Sequence, residues 1–357
     1  MVDRLFDMIF DYSSLGQLAL ASSHQDPLQL GSASPEKLQI YLSKMMLIRS
    51  VERRLAEARR DGLVGGPVHL GVGQEAVAVG MSSVLRSSDR VFGAHRSHSH
   101  LLALGSDVRK LFAEVLARQT GHSRGMGGSM HLCDLSVGFY GSVPIVAGTV
   151  SLAVGAAMAA RLQESGDVAV AYLGDGAVEE GVVHESLNLA RVQKDPVIFV
   201  VENNLFASHM HISLRQPSDC TARFAVAHDI PSRVIDGNDV LAVARAAEDL
   251  VSAARRGEGP GFLEAVTYRW YGHVDWREDI DVGVNRSQHD VDDWRAKDPV
   301  RRLVGAMQAK GFWSVTQQAE LQQSIDEHIE SGWQSALGDP PPPKESLLGH
   351  VYAKFEG

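Results

Sequence analysis

Asp175 lies in a Gly174-Asp175-Gly176 turn, and Asn204 closes an Asn203-Asn204 pair further along the chain. Each follows an apolar run, Val168 to Leu173 in one case and Val197 to Glu202 in the other. A carboxylate and an amide carbonyl are hard oxygen ligands suited to a divalent cation. A glycine turn opening a helix offers free backbone N–H groups to a diphosphate. Taken alone, Gly-Asp-Gly is usually a tight turn closed by the aspartate side chain, and paired asparagines are usual in loops. Joined as strand, helix and strand, the two groups converge on one corner. Histidine supplies a second chemistry. His95, His98 and His100 flank Arg96, His273 follows Arg269, and His69 precedes Gly71-Val72-Gly73; imidazoles exchange protons near neutral pH.

The elements around these residues alternate. Ser34 caps a helix that begins at Pro35 and runs to about Ala58, and Gly65-Gly66-Pro67 breaks the chain before a short helix opens at Gln74. Asp89 to Gly93 reads as a strand leading into the histidine-dense loop. If that loop is extended, His98 and His100 share one face and His95 takes the other. Gly121 to Ser129 holds four glycines without periodicity and reads as an ordered or lid-like loop. Val150 to Ala160 reads as a helix with Gly155 and Ala159 placed for close packing. Ala177 to Arg191 reads as one helix, and Phe262 to Thr267 as a third apolar strand. Continuous apolar strands between helices predict a doubly wound α/β fold with a mostly parallel sheet covered on both faces. Residues 1–33 read as a loosely attached extension, 34–350 as one α/β domain with a helical C-terminal part, and 351–357 as a tail. A mobile loop is expected over Gly283 to Ser287.

The 357 residues are 44% hydrophobic, enough for a large core, and carry a net charge of −10 with no long basic run. That balance argues against nucleic-acid binding. Two cysteines in no metal or redox spacing suit a reducing compartment. No signal-peptide pattern opens the chain and no apolar run is long enough to span a bilayer. The expectation is a cytoplasmic protein with no membrane partner. A Rossmann dinucleotide site is the natural competitor for the glycine turn, but Glu179 stands where its third glycine belongs, and Glu180 follows. Two acids there repel a bare pyrophosphate; a bridging cation removes the objection.

The run from Gly174-Asp175-Gly176-Ala177 to Glu202-Asn203-Asn204 resembles the thiamine-diphosphate fingerprint. Its setting resembles the α subunit of the decarboxylating component of 2-oxo acid dehydrogenases, of the pyruvate, branched-chain and acetoin types. The ordered landmarks are His69 to Glu75, Arg96-Ser97-His98, Gly127 to His131, Phe139-Tyr140-Gly141, Ile145-Val146 and Tyr268 to His273, and the likeness covers roughly residues 36–350. The resemblance implies thiamine diphosphate and Mg²⁺ as cofactors. Asp175 and Asn204 would ligate the metal by side chain and Phe206 by its carbonyl. Gly174, Gly176, Ala177 and Asn204 would frame the diphosphate, with Arg96 and Arg269 bonded to it and Val146 beneath the bent cofactor. His69, His98 and His273 would surround the reacting carbon. His95 stands where the family often has tyrosine. His209 and His211 could line the substrate pocket, whereas His131 and His184 read as structural.

The resemblance further implies that the glutamate activating the cofactor comes from a separate β subunit, in an assembly of two α and two β chains. The acyl group of a small 2-oxo acid, or of acetoin, would pass to a lipoyl acyltransferase. After His273 the chain reads Val274-Asp275-Trp276-Arg277 rather than placing a serine next to the histidine, so control by phosphorylation there is not expected. A two-subunit carboligase, forming an acyloin without a lipoyl partner, is the alternative.

Overall fold

The computed structural model describes residues 12–349 except Asp275, Glu278, Asp279, Val282 and Gly283. The first eleven residues of the extension, the 351–357 tail and parts of the acidic loop and of the 283–287 loop lie outside the described residues. Six parallel strands build the central sheet: β1 (Arg90–Gly93), β2 (Phe139–Ser142), β3 (Ala169–Gly174), β4 (Val197–Asn203) and, beyond a small antiparallel hairpin of β5 (Phe206–Ala207) and β6 (Met210–His211), β7 (Ser232–Asp236) and β8 (Gly261–Val266). Their order across the sheet is β2-β1-β3-β4-β8-β7.

Helices α1 (Pro35–Arg60), α2 (Glu75–Ser82), α3 (His98–Ala103) and α4 (Val108–Val115) surround β1 in sequence. They are followed by α5 (Val150–Leu162), α6 (Gly181–Gln193), α7 (Ala222–Ala227) and α8 (Val240–Arg255), then by α9 (Gln288–Ala296), α10 (Pro299–Ala309) and α11 (Val315–Gly338). The side-chain alternation of a strand splits the interior in two. Val170, Tyr172, Ile198 and Val200 face a core shared with α1, α2 and α8. Ala169, Ala171, Leu173, Val197, Phe199 and Val201 face a second core against α5 and α6. Both faces are apolar because both are covered, which makes the fold the expected doubly wound α/β type.

Several elements differ from the sequence reading. The helix expected from Ala177 is broken: a 3₁₀ turn spans Ala177–Glu179, Glu180 is extended, and α6 begins only at Gly181. The histidine loop is helical from His98, so the extended-loop pairing of His98 with His100 does not hold. Gly155 on α5 faces outward with nothing near a Cβ position, so it does not serve close packing. From residue 12 onward the extension is not loose. Leu15, Leu28 and Leu30 are buried, Leu15 N–H donates to Asp219 (2.8 Å), and Leu28 N–H donates to the Arg302 carbonyl (3.4 Å). Among the described residues no helix is long and apolar enough to cross a membrane.

Candidate active site

The chain runs from β1 outward to β2, then returns to the other side of β1 for β3. At such a reversal the loops leaving neighbouring strands diverge and open a crevice at their carboxyl ends. A cavity of about 360 Å³ lies there. It is lined after β1 by Ala94, His95 and Arg96, after β2 by Pro144, Val146 and Ala147, and after β3 by Gly174, Asp175, Gly176 and Ala177. Asn204 and Phe206 line it after β4, and His273 after β8, while His69 and Gln74 enter from the segment before α2.

The Asp175–Asn204 corner is fixed by register. Gly174 pairs with Glu202 across β3 and β4, which sets Asp175 beside the end of the next strand. Asn203 is turned away, with its amide donating to Glu264 (2.7 Å) and to the Asp219 carbonyl (3.0 Å). Leu205 then adopts a positive φ of 68°, and Phe206 N–H donates to the Asn204 side-chain oxygen (3.2 Å). Gly176 is required by crowding, because a Cβ there would lie 2.5 Å from that of Ala207 in the hairpin. Asp175 is buried, and burial pushes its carboxyl up while the Arg215 guanidinium pulls it down. Arg215 bonds both Asp175 and Glu179, and Gln216 donates to Glu179 (2.7 Å).

Opposite this corner three imidazoles meet edge to face. Ring centroids are 4.6 Å apart for His69 and His95, 5.0 Å for His69 and His273, and 5.3 Å for His95 and His273. Burial, reinforced by the nearby Arg96 charge, holds His95 down at about 3, His273 at about 2, and His69 far below its ordinary value. All three are therefore neutral at neutral pH and can either donate or accept a hydrogen bond. Arg96 is anchored by donating to the Leu70 carbonyl (2.6 Å) and to the His273 carbonyl (3.3 Å).

Two expected residues are not brought to the cavity. His98 is fully buried, with Nδ1 3.2 Å from Glu52 and Nε2 2.8 Å from Ser129. It opens α3, where its ring is held between Glu52 of α1 and Ser129 of the glycine-rich loop and does not line the cavity. Arg269 is buried and donates to the carbonyls of Tyr271 (2.8 Å) and Ser208 (2.7 Å), tying the segment after β8 to the β5–β6 hairpin. The sequence assigns no site role to His95, Gln74, His100, Glu180 or Arg215, all but the last of which line the cavity. His100 stacks on Tyr172 with centroids 3.6 Å apart. Its Nε2 lies 3.2 Å from Glu202 without hydrogen-bond alignment. Arg215 gave one signal, the adjacent Arg-Gln pair shortly after the asparagines.

The family model described as dehydrogenase E1 component matches residues 43–345. The chain is 35% identical over 333 residues to the α subunit of an acetoin:2,6-dichlorophenolindophenol oxidoreductase of Bacillus subtilis (strain 168), covering 91% of this chain and 96% of that protein. It is 36% identical over 313 residues to the pyruvate dehydrogenase E1 component α subunit of Rhizobium meliloti (strain 1021), covering 86% and 88% respectively. A second acetoin:2,6-dichlorophenolindophenol oxidoreductase α subunit, from Cupriavidus necator, is 35% identical over 336 residues, with 94% and 99% covered.

Proposed function

The chain belongs to the dehydrogenase E1 component family as an α subunit of a thiamine-diphosphate-dependent 2-oxo acid dehydrogenase, and on that premise we propose how its cavity works. Thiamine diphosphate, when bound, supplies a carbanion that attacks the carbonyl of a 2-oxo acid or of acetoin. The chain's own residues bind, orient and shield that chemistry. Asp175 and the Asn204 side-chain oxygen, with the Phe206 carbonyl, would hold Mg²⁺ against the diphosphate. Gly176 and Ala177 would offer N–H groups, and Arg96 a charge-assisted bond. The fit is supported by the lining itself, since Gln74 Nε2 and His69 Nδ1 are buried without a hydrogen-bond partner among the described residues.

His69, His95 and His273 form the proton-handling wall. Their neutral imidazoles can donate to an alkoxide developing on the substrate carbonyl and later return a proton. We give His98 a positioning role, through Glu52 and Ser129, and Arg269 the same role through the hairpin. The β subunit completes the enzyme; we assign an assembly of two α and two β chains, with a lipoyl acyltransferase as acyl acceptor. Two free cysteines support a cytoplasmic location. Nothing in the relatives favours the carboligase alternative.

The observation that carries this reading is the placement of Asp175 and Asn204 at adjacent parallel strand ends, across one cavity from three neutral histidines. Calorimetry on the α chain assembled with its β subunit tests it. Thiamine diphosphate is expected to bind in a Mg²⁺-dependent way, and Asp175→Ala to weaken it at least roughly tenfold while leaving the fold intact. Pyruvate- or acetoin-dependent reduction of 2,6-dichlorophenolindophenol should be lost in parallel. An Asp175→Ala protein of normal cofactor affinity would refute the assignment.

A further inference from the structure

We propose that His69, His95 and His273 form a transition-metal site, distinct from the Asp175–Asn204 corner, that takes a borderline cation such as Zn²⁺ and blocks the reacting side of the cavity. One ligand nitrogen from each of the three side chains lies within 4.8 Å of the others. The rings come from three separate segments, before α2, after β1 and after β8, and they already meet edge to face. A tetrahedral zinc with bonds of about 2.0–2.1 Å needs its nitrogens about 3.4 Å apart. Contraction by roughly 1.4 Å is within the reach of small side-chain rotations.

The donor chemistry separates this site from the proposed Mg²⁺ position. Imidazole nitrogen suits Zn²⁺, Co²⁺, Ni²⁺ and Cu²⁺, whereas carboxylate and carbonyl oxygen suit Mg²⁺. His69 Nδ1 has no hydrogen-bond partner among the described residues, so one ligand atom is available. Arg96 opposes any cation, with Nη2 3.4 Å from His273 Nδ1. That repulsion excludes a hard ion held by charge alone and leaves only ions that gain by bonding to nitrogen. His95 is the deciding residue: with tyrosine there, two imidazoles remain, too few for a closed chelate. A cation bound to this wall would compete with the 2-oxo acid and leave the diphosphate corner untouched.

Cobalt provides the test, because Co²⁺ held by imidazoles absorbs visibly whereas Mg²⁺ does not. The α chain assembled with its β subunit, in saturating Mg²⁺, is titrated with Co²⁺ and then with Zn²⁺. The expected result is one Co²⁺ per α chain, displaced by Zn²⁺ but not by Mg²⁺. His95→Tyr and His95→Asn should each weaken it at least roughly tenfold, the lower range seen even for outer-shell changes. Circular dichroism and Mg²⁺-dependent thiamine diphosphate binding report whether each variant is folded, and using two variants covers a failure of one. Asp175→Ala should keep the cobalt band, so failure of the cofactor assignment and failure of this site are distinguishable. No band in the wild-type protein up to millimolar Co²⁺, or a band of equal affinity in a folded His95 variant, overturns the proposal.

Discussion

Asp175 is a buried carboxylate whose charge needs a partner, and the structure supplies Arg215. Breaking a buried pair by removing one member costs on the order of 3 kcal/mol, because the remaining charge stays desolvated. Arg215→Ala is therefore expected to lower the melting temperature of the metal-free protein by several degrees. Added Mg²⁺ should then restore more stability in the variant than in the wild type, since the cation no longer shares Asp175 with a guanidinium. Scanning calorimetry with and without Mg²⁺ measures both; an equal Mg²⁺ shift in the two proteins would show that Arg215 is not the counter-charge. Asp175 and Asn204 were legible in the sequence because strand ends and a glycine turn place them by topology. Arg215 was not, since it reaches the corner only through the path of the β5–β6 hairpin. His98 and His95 exchanged importance for a similar reason: one turn of helix at His98 redirects the side chains, and residue spacing alone does not reveal where that turn begins.

At the scale of elements, Glu114 on α4 organises the glycine-rich loop beside the cavity. Its Oε1 accepts from Gly127 N–H (2.8 Å) and Gly128 N–H (2.9 Å), and its Oε2 from Ser123 N–H (2.7 Å) and Gly125 N–H (2.9 Å). Gly125 has a φ of 73°, and a Cβ there would lie 2.5 Å from the Arg118 carbonyl, so the loop's glycines serve this convergence. The carboxylate is fully buried, and Glu114→Ala would strand four donors at once, for a loss upward of roughly 3 kcal/mol. Glu114→Gln keeps the volume but has only one acceptor oxygen, so an intermediate loss is expected. Limited proteolysis should cut Glu114→Ala between residues 121 and 130 faster than the wild type. Equal cutting rates would assign the loop's order to its other contacts. The glycines left the loop readable as either ordered or lid-like, and the bonds to Glu114 make it ordered. Its anchor was not readable, because a single glutamate on an amphipathic helix looks like any solvated charge. The break at Glu180 escaped for the converse reason: helical periodicity continues through a residue whose backbone is extended.

For the whole molecule, the open side of the cavity continues into exposed apolar surface. Val146 lines the cavity and is yet 49% exposed, with Ile145 beside it at 69%. The following helix, α5, exposes Leu152 and Leu162, and α6, packed against it, exposes Leu189 and Val192. Scattered exposed leucines need no explanation, so mutation must decide whether these side chains meet another protein. An α subunit of this family pairs with a β subunit, and this face is the expected place of contact. Leu152→Asp combined with Val192→Asp should leave the α chain folded by circular dichroism. It should raise the concentration needed to assemble with β at least tenfold, about 1.4 kcal/mol, by sedimentation velocity. Dye reduction should fall with the assembled fraction. Assembly at wild-type concentration would exclude this face.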